Sequence, residues 1–211
     1  MDAETSTKTA HARTLATGDR GALIAMMIAG AALAGWAVIA AVIRSVEVLS
    51  GGPVEVLAEF AGTPAVAPIG VEGASADVAL DTAVLSVVDL PAASVGAIVV
   101  QQILMAVAVV TVVVCLLLLA RAVLRDRVFS RTNTVLVSVA GLTALVGLAA
   151  YPFLGNMAAN GAFAALSDNS FDNVVMTIEP ATLLFAAFIA ALASTVFTVG
   201  ERLQRETEGL V

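Results

Sequence analysis

Residues 21–43 read GALIAMMIAGAALAGWAVIAAVI, a run of 23 residues without a charge, bracketed by Arg20 and Arg44. A bilayer core about 30 Å thick needs roughly 20 apolar helical residues at about 1.5 Å of rise each, so this run is long enough to cross with some tilt. Three more uncharged runs follow at 94–120, 134–154 and 181–200. The second ends in the apolar block Cys115-Leu116-Leu117-Leu118-Leu119, while Gly141, Gly147 and Pro152 give the third the weakest apolar signal. Composition points the same way. Of 211 residues, 60% are hydrophobic and 13% charged, whereas soluble domains run at about 45–50% apolar and about 25% charged. A water-soluble globule and a disordered chain are both excluded, and an integral membrane protein with four spans remains.

The first run is too long for a cleaved signal peptide, whose apolar region is about 7–15 residues. With a 20-residue polar stretch before it, it reads as an uncleaved signal-anchor. Basic residues gather in short cytoplasmic loops. Lys8, Arg13 and Arg20 precede span one, Arg121, Arg125, Arg127 and Arg131 lie between spans two and three, and Arg202 and Arg205 follow span four. Nine of the ten basic residues thus share one side, leaving only Arg44 opposite. Its stem can lie along lipid while the guanidinium reaches the headgroups. Both termini are expected in the cytoplasm.

The opposite side is acidic: Glu47, Glu55, Glu59, Glu72, Asp77, Asp81 and Asp89 precede span two, and Asp168, Asp172 and Glu179 follow span three. Two readings stand, a solubilising surface or a face that docks a cation or a partner; no spaced acidic motif of the calcium-loop kind is present. Within 44–93, Val54, Val56, Ala58 and Phe60 alternate with Glu55, Leu57 and Glu59, and a second alternation runs from Asp77 to Val88. Gly51-Gly52-Pro53 and Gly62-Thr63-Pro64 read as turns around the first run. Two or three antiparallel strands follow, and Asn173–Glu179 is a candidate for one more in the same sheet.

The expected architecture is an all-α membrane fold, four transmembrane helices with N-in/C-in topology and a small β-rich extracytoplasmic cap between helices 1 and 2. Its parts are a cytosolic tail (1–20), helix 1 (21–43), the outer β-rich segment (44–93), helix 2 (94–120), a basic cytosolic turn (121–133), helix 3 (134–154), an outer loop (155–180), helix 4 (181–200) and a second cytosolic tail (201–211).

Chemistry is sparse. One Cys and one His exclude a disulfide scaffold and a multi-ligand Cys/His metal site. A net charge of −7 argues against direct nucleic-acid binding. No nucleophile elbow, zinc-protease helix, phosphate loop or dinucleotide fingerprint occurs, so no catalytic, cofactor-binding or metal residue is assigned and no enzyme is expected. The spans hold no ionisable residue away from their ends, although proton relays and ion pathways usually leave one at membrane depth. Gln101 and Gln102 are their most polar positions, read either as substrate or ion ligands or as interhelical hydrogen-bonding groups exposed near the interface. Gly30 with Ala34, Ala31 with Gly35 and Ala140 with Ala144 are small residues four apart that suit close helix packing. Arg121, Arg125, Arg127 and Arg131 are candidate contacts for anionic lipid headgroups or a partner, or serve topology alone.

Two short motifs carry a resemblance. One is Val128-Phe129-Ser130-Arg131-Thr132-Asn133, leading straight into span three; the other is the closing stretch with Phe197, Gly200, Leu203, Gln204, Leu210 and Val211. Together they resemble the bacterial membrane proteins grouped as domain of unknown function 2975, which have four spans, a Phe-Ser…Asn turn between spans two and three and a Phe…Gly…Leu-Gln…Leu-Val tail. The likeness covers most of the chain from about Gly21, with Val128 where that family often has Pro. Physically, Ser130 or Asn133 can cap span three, and Gly200 permits close packing or a bend. The resemblance implies a multi-pass protein of the bacterial cytoplasmic membrane, without established activity, often encoded beside a small helix-turn-helix regulator. The leading expectation is therefore a non-enzymatic regulatory or sensory accessory, whose partners are the lipid bilayer and that regulator or another membrane protein. The alternatives are an oligomerising transporter or channel subunit built around Gln101 and Gln102, and a structural subunit of a larger complex.

Overall fold

Each of the four apolar runs is a helix longer than the run itself. The computed structural model describes residues 17–125, 127–171 and 179–208. It comprises α1 (Thr17–Leu49), β1 (Val54–Ala67), β2 (Ala76–Val87), α2 (Ala92–Leu124), α3 (Arg131–Ser167) and α4 (Pro180–Glu208), with a short helical turn at Val71–Gly73 between the strands. All four helices are long and apolar enough to cross a membrane. The protein thus has the make-up of a multi-pass membrane protein with a two-stranded sheet between its first two helices.

The helices form an open row. Among the described residues α1 packs on α2, α2 on α3 and α3 on α4, and no other helix pair makes more than a passing contact. Neighbours are antiparallel. Moving up α2 through Ser94, Gln101 and Ala108 moves down α3 through Gly161, Gly155 and Gly147. These α2 residues recur every seven positions, the spacing that keeps one seam facing a neighbour, and each meets a glycine. A β-carbon at Gly161 would overlap the Ser94 hydroxyl, one at Gly155 would stand 3.1 Å from the Gln101 amide nitrogen, and one at Gly147 3.3 Å from the Ala108 methyl. Lipid offers no hydrophobic drive for helices to associate, so small residues that let backbones approach must supply the contact.

The flanking helices follow the same rule. Gly30 of α1 faces Val113 and Leu117 of α2, and Gly141 of α3 meets Ala190 of α4. Of the small pairs on span one, Gly35 has nothing nearby, so Gly30 alone of the two glycines belongs to the seam. Bulky residues of the edge helices, among them Ile28, Trp36 and Ile39 on α1 and Leu184, Phe185 and Phe188 on α4, are exposed. An apolar outward face is what a lipid-facing helix requires.

The largest buried cluster lies above this row. Val54, Val56 and Ala58, the inward set of the β1 alternation, are buried with Val87 against Ile98 of α2 and Ala158, Ala159, Ala162 and Phe163 of α3. The strands pair antiparallel from Val54↔Val87 to Ala67↔Ala76. The register shifts between Glu59 and Thr63, where Gly62 takes a positive φ of 67°. Gly62-Thr63-Pro64 is therefore a bulge inside one long strand and not the turn expected there; glycine is suited to that backbone conformation.

A second correction concerns α3. Instead of ending at Leu154 before a loop, it runs to Ser167, 37 residues in all, about 55 Å at 1.5 Å per residue. That exceeds a bilayer core by roughly 25 Å, and its last turns, with Ala158, Ala159, Ala162 and Phe163, form the platform beneath the hairpin. Asp168 and Asn169 then adopt left-handed conformations, and the Asn169 amide bonds the Ala164 carbonyl at 3.0 Å, closing the helix end. Phe163, Phe60 and Phe171 stack around the top of the hairpin, with Phe163 5.2 Å from each of the others. The further strand expected at 173–179 lies outside the described residues except for Glu179, which is not in a strand. Likewise α4 continues through Glu201–Thr207, which was expected as a tail.

The glycine seam makes a differential prediction. Gly161→Leu should destabilise the detergent-solubilised protein by about 1–3 kcal/mol, the usual cost of overpacking. Gly96→Leu, where nothing lies within 4 Å, should change the thermal unfolding midpoint far less. Equal shifts would contradict the seam.

Candidate functional site

Two places gather polar groups, one at each end of the α2–α3 pair. At the basic end, α2 stops at Leu124 and α3 begins at Arg131. Ser130 is the N-cap: its hydroxyl accepts from the Asn133 amide at 3.3 Å, supplying one of the oxygens that a helix start needs. Asn133 is 3% exposed and donates its side-chain amide to the carbonyls of Arg127 at 2.7 Å and Val128 at 2.9 Å. One side chain thereby fixes the whole reversal.

That reversal places Phe129 on α4. Its ring lies 5.7 Å from that of Phe197, and a β-carbon at Gly200 would overlap it. Gly200 is thus a socket for Phe129. Next to it the Thr134 hydroxyl donates to the Glu201 carboxylate at 3.0 Å, and Arg205 pairs with the same carboxylate. Of the residues that carried the family resemblance, Phe129, Phe197 and Gly200 meet in this contact, while Ser130 and Asn133 hold the turn that presents Phe129. Leu203 stays exposed; Gln204 is half-buried on the same helix. The four arginines Arg121, Arg125, Arg127 and Arg131 are all exposed, and none forms an ion pair among the described residues.

At the other end a cavity of about 490 Å³ lies between the hairpin and the helices. Gln101, 7% exposed, reaches across the seam and donates to the Tyr151 carbonyl at 2.8 Å. Pro152 follows directly; it has no N–H for the carbonyl four residues earlier and so loosens the helix at this level. For Gln101 the structure bears out the interhelical hydrogen bond. Gln102 is one residue on, and its amide faces the cavity without a hydrogen bond among the described residues. Arg44 lies at the cavity wall, where it bonds Glu47 at 2.8 Å and the Glu55 carbonyl. Its guanidinium thus joins the end of α1 to the first strand of the hairpin. The outward row Glu55, Leu57 and Glu59 supplies the strand side of the cavity, and Tyr151–Asn156 the helical side.

Reading by apolar runs missed Asn156, Ala158, Ala159, Ala162 and Phe163, because they follow the last lipid-like residue. Their helical spacing was the available signal. Among the described residues no three His, Cys, Asp or Glu side chains stand together as metal ligands, and Cys115 is buried and unpaired. No family model, no curated protein and no solved structure matches the chain.

The reversal should be the more fragile to single changes. Asn133→Ala removes a buried side chain that serves two backbone carbonyls and should cost about 1–3 kcal/mol, read as a lower unfolding midpoint in detergent. Arg127→Ala, which removes only an exposed side chain, should leave that midpoint within error.

Proposed function

We propose that this protein is a non-enzymatic regulatory accessory of the bacterial cytoplasmic membrane, with the hairpin and its cavity outside and the Phe129–Gly200 cluster and the four arginines inside. The observation that carries this reading is the continuity of α3: one helix begins at the Ser130 cap and ends under the hairpin. A change in how the hairpin sits on Ala158–Phe163 therefore bears on the same rigid element that positions the inner turn. Two-site coupling needs a shared element whose state both sites bias, and α3 touches both.

The orientation rests on the placement of nine of the ten basic residues on the side of the α2–α3 reversal, as the positive-inside rule requires of a cytoplasmic face. The partner is a cytosolic regulator or another membrane protein that meets the exposed arginines. The likeness of the two motifs to domain of unknown function 2975, where a helix-turn-helix regulator is often encoded alongside, supports the first. A channel subunit built around Gln101 and Gln102 is disfavoured by Gln101 already serving α3.

Reporter fusions should read cytoplasmic at Arg125 and extracytoplasmic at Asp168; the reverse would overturn the orientation. In-cell crosslinking followed by mild-detergent purification should recover a specific partner, and Arg121→Glu with Arg125→Glu should lose it. Recovery of this chain alone, or solute flux by the purified protein in liposomes, would refute the accessory role.

A further inference from the structure

The cavity beneath the hairpin has a composition that selects its occupant. We propose that it binds an organic ammonium group carried on an apolar body, the amine head of an aminophospholipid being the source at hand. The inference rests on the membrane placement proposed above and adds a ligand to it.

The first argument is charge. Arg44 is the cation at the cavity wall, and its two terminal nitrogens are already committed, one to the Glu47 carboxylate and one to the Glu55 carbonyl. The remaining formal charges of the lining are the carboxylates of Glu55 and Glu59, of which Glu59 already has a partner of its own. Its field therefore favours a cation, and the Glu55 carboxylate has no hydrogen bond or ion pair among the described residues to offset it. Gln102 adds an amide oxygen as acceptor, likewise uncommitted.

The second argument is the rest of the wall. Leu57, Val84, Ile98 and Pro152 present carbon to the same space. Among the described residues no three acidic, histidine or cysteine side chains stand together to hold a metal ion. A primary ammonium has three donors and a carbon body, so its head matches the carboxylate and amide while its body matches the apolar wall. A mostly apolar pocket with a few convergent polar groups is the usual form of a small-molecule site.

The third argument is depth. Arg44 ends the apolar run of α1, while Gln101 and Gln102 stand near the cavity end of α2. The cavity is then level with the headgroups, where an aminophospholipid presents its amine. The ammonium of a water-soluble amine has the same chemistry and reaches the cavity from outside.

The test uses the full-length protein in phosphatidylglycerol nanodiscs doped with a phosphatidylethanolamine bearing a diazirine on its acyl chain. Photolabelling of peptides from residues 54–59 and 98–102 should exceed that given by the same lipid with its amine acetylated. Glu55→Gln with Glu59→Gln should lower the amine-dependent labelling about tenfold or more, as expected when a charge-assisted hydrogen bond is removed. Gln102→Leu, which leaves both carboxylates, should lower it less. Unfolding midpoints of the variants establish that the fold is retained. Competition by millimolar ethanolamine assigns the site to a soluble amine, and persistence of labelling assigns it to the lipid; both keep the ammonium. Equal labelling by the acetylated probe, or undiminished labelling of the folded double variant, would overturn the proposal. If those results coincide with intact partner capture, the ligand alone fails. If labelling is amine-dependent but no partner is recovered, the accessory role fails.

Discussion

The close approach of α2 to α3 is the contact on which the other elements depend. Ser94, Gln101 and Ala108 each sit against a glycine of α3, so two backbones run side by side over about 21 Å at 1.5 Å per residue. In lipid this is one of the few ways to hold helices together, since burying leucine against leucine gains little over leaving it in acyl chains. α1 then rests on the far side of α2 and α4 on the far side of α3. The hairpin rests on the last turns of α3. Loosening the seam would separate the two halves of the row and split the platform under Val54, Val56 and Ala58, which draws on Ile98 of α2 and Ala158 of α3 together.

An open row has consequences that a closed bundle lacks. Its end helices offer one face to a neighbour and leave the other to lipid, which is why α1 and α4 carry small residues on one side and Trp36, Phe185 and Phe188 on the other. Among the described residues the main buried cluster is at the hairpin, where burial of Phe163 and the valines is favourable. The work is thus divided: small groups let the helices approach, and hydrophobic burial holds the hairpin on them.

That division also explains what the amino-acid sequence discloses. The four runs are legible because lipid demands about 20 apolar residues in succession, and the first hairpin strand is legible because Val54, Val56 and Ala58 alternate with polar neighbours. The outer third of α3 is not. Past Leu154 the helix packs one face on the hairpin, so Asn156, Asn160 and Ser167 look like loop residues although Ala158, Ala159, Ala162 and Phe163 keep a helical period. Gly62-Thr63-Pro64 has turn composition, yet its glycine serves a bulge that keeps the strand in register. Gly30 and Gly35 look alike in one dimension, but only one faces α2. The motifs around Phe129 and Gly200 are visible as words; that the first is a ring and the second the hollow it fills is visible only when residues about seventy positions apart are brought together.

The cavity lies where these constraints conflict, and that gives it its character. Gln101 is too polar for the bilayer unless bonded, and it satisfies itself on the Tyr151 carbonyl beside the one proline of α3. Pro152 removes a backbone bond at the same level, so α3 is weakest where the cavity wall touches it. Arg44 marks the end of the apolar run on α1 and is drawn up to the edge of β1. A ligand seated here would contact the hairpin, the end of α1 and the Pro152 turn at once. It would shift the equilibrium between two arrangements only by its differential affinity for them. The element free to differ is the helical turn around Pro152, because below it α3 is clamped by Gly141 on Ala190 and by Phe129 on Gly200, and above it by the hairpin core. If the protein is the accessory proposed above, a signal enters where a rod held at both ends has its soft turn, at the wall of this polar cavity.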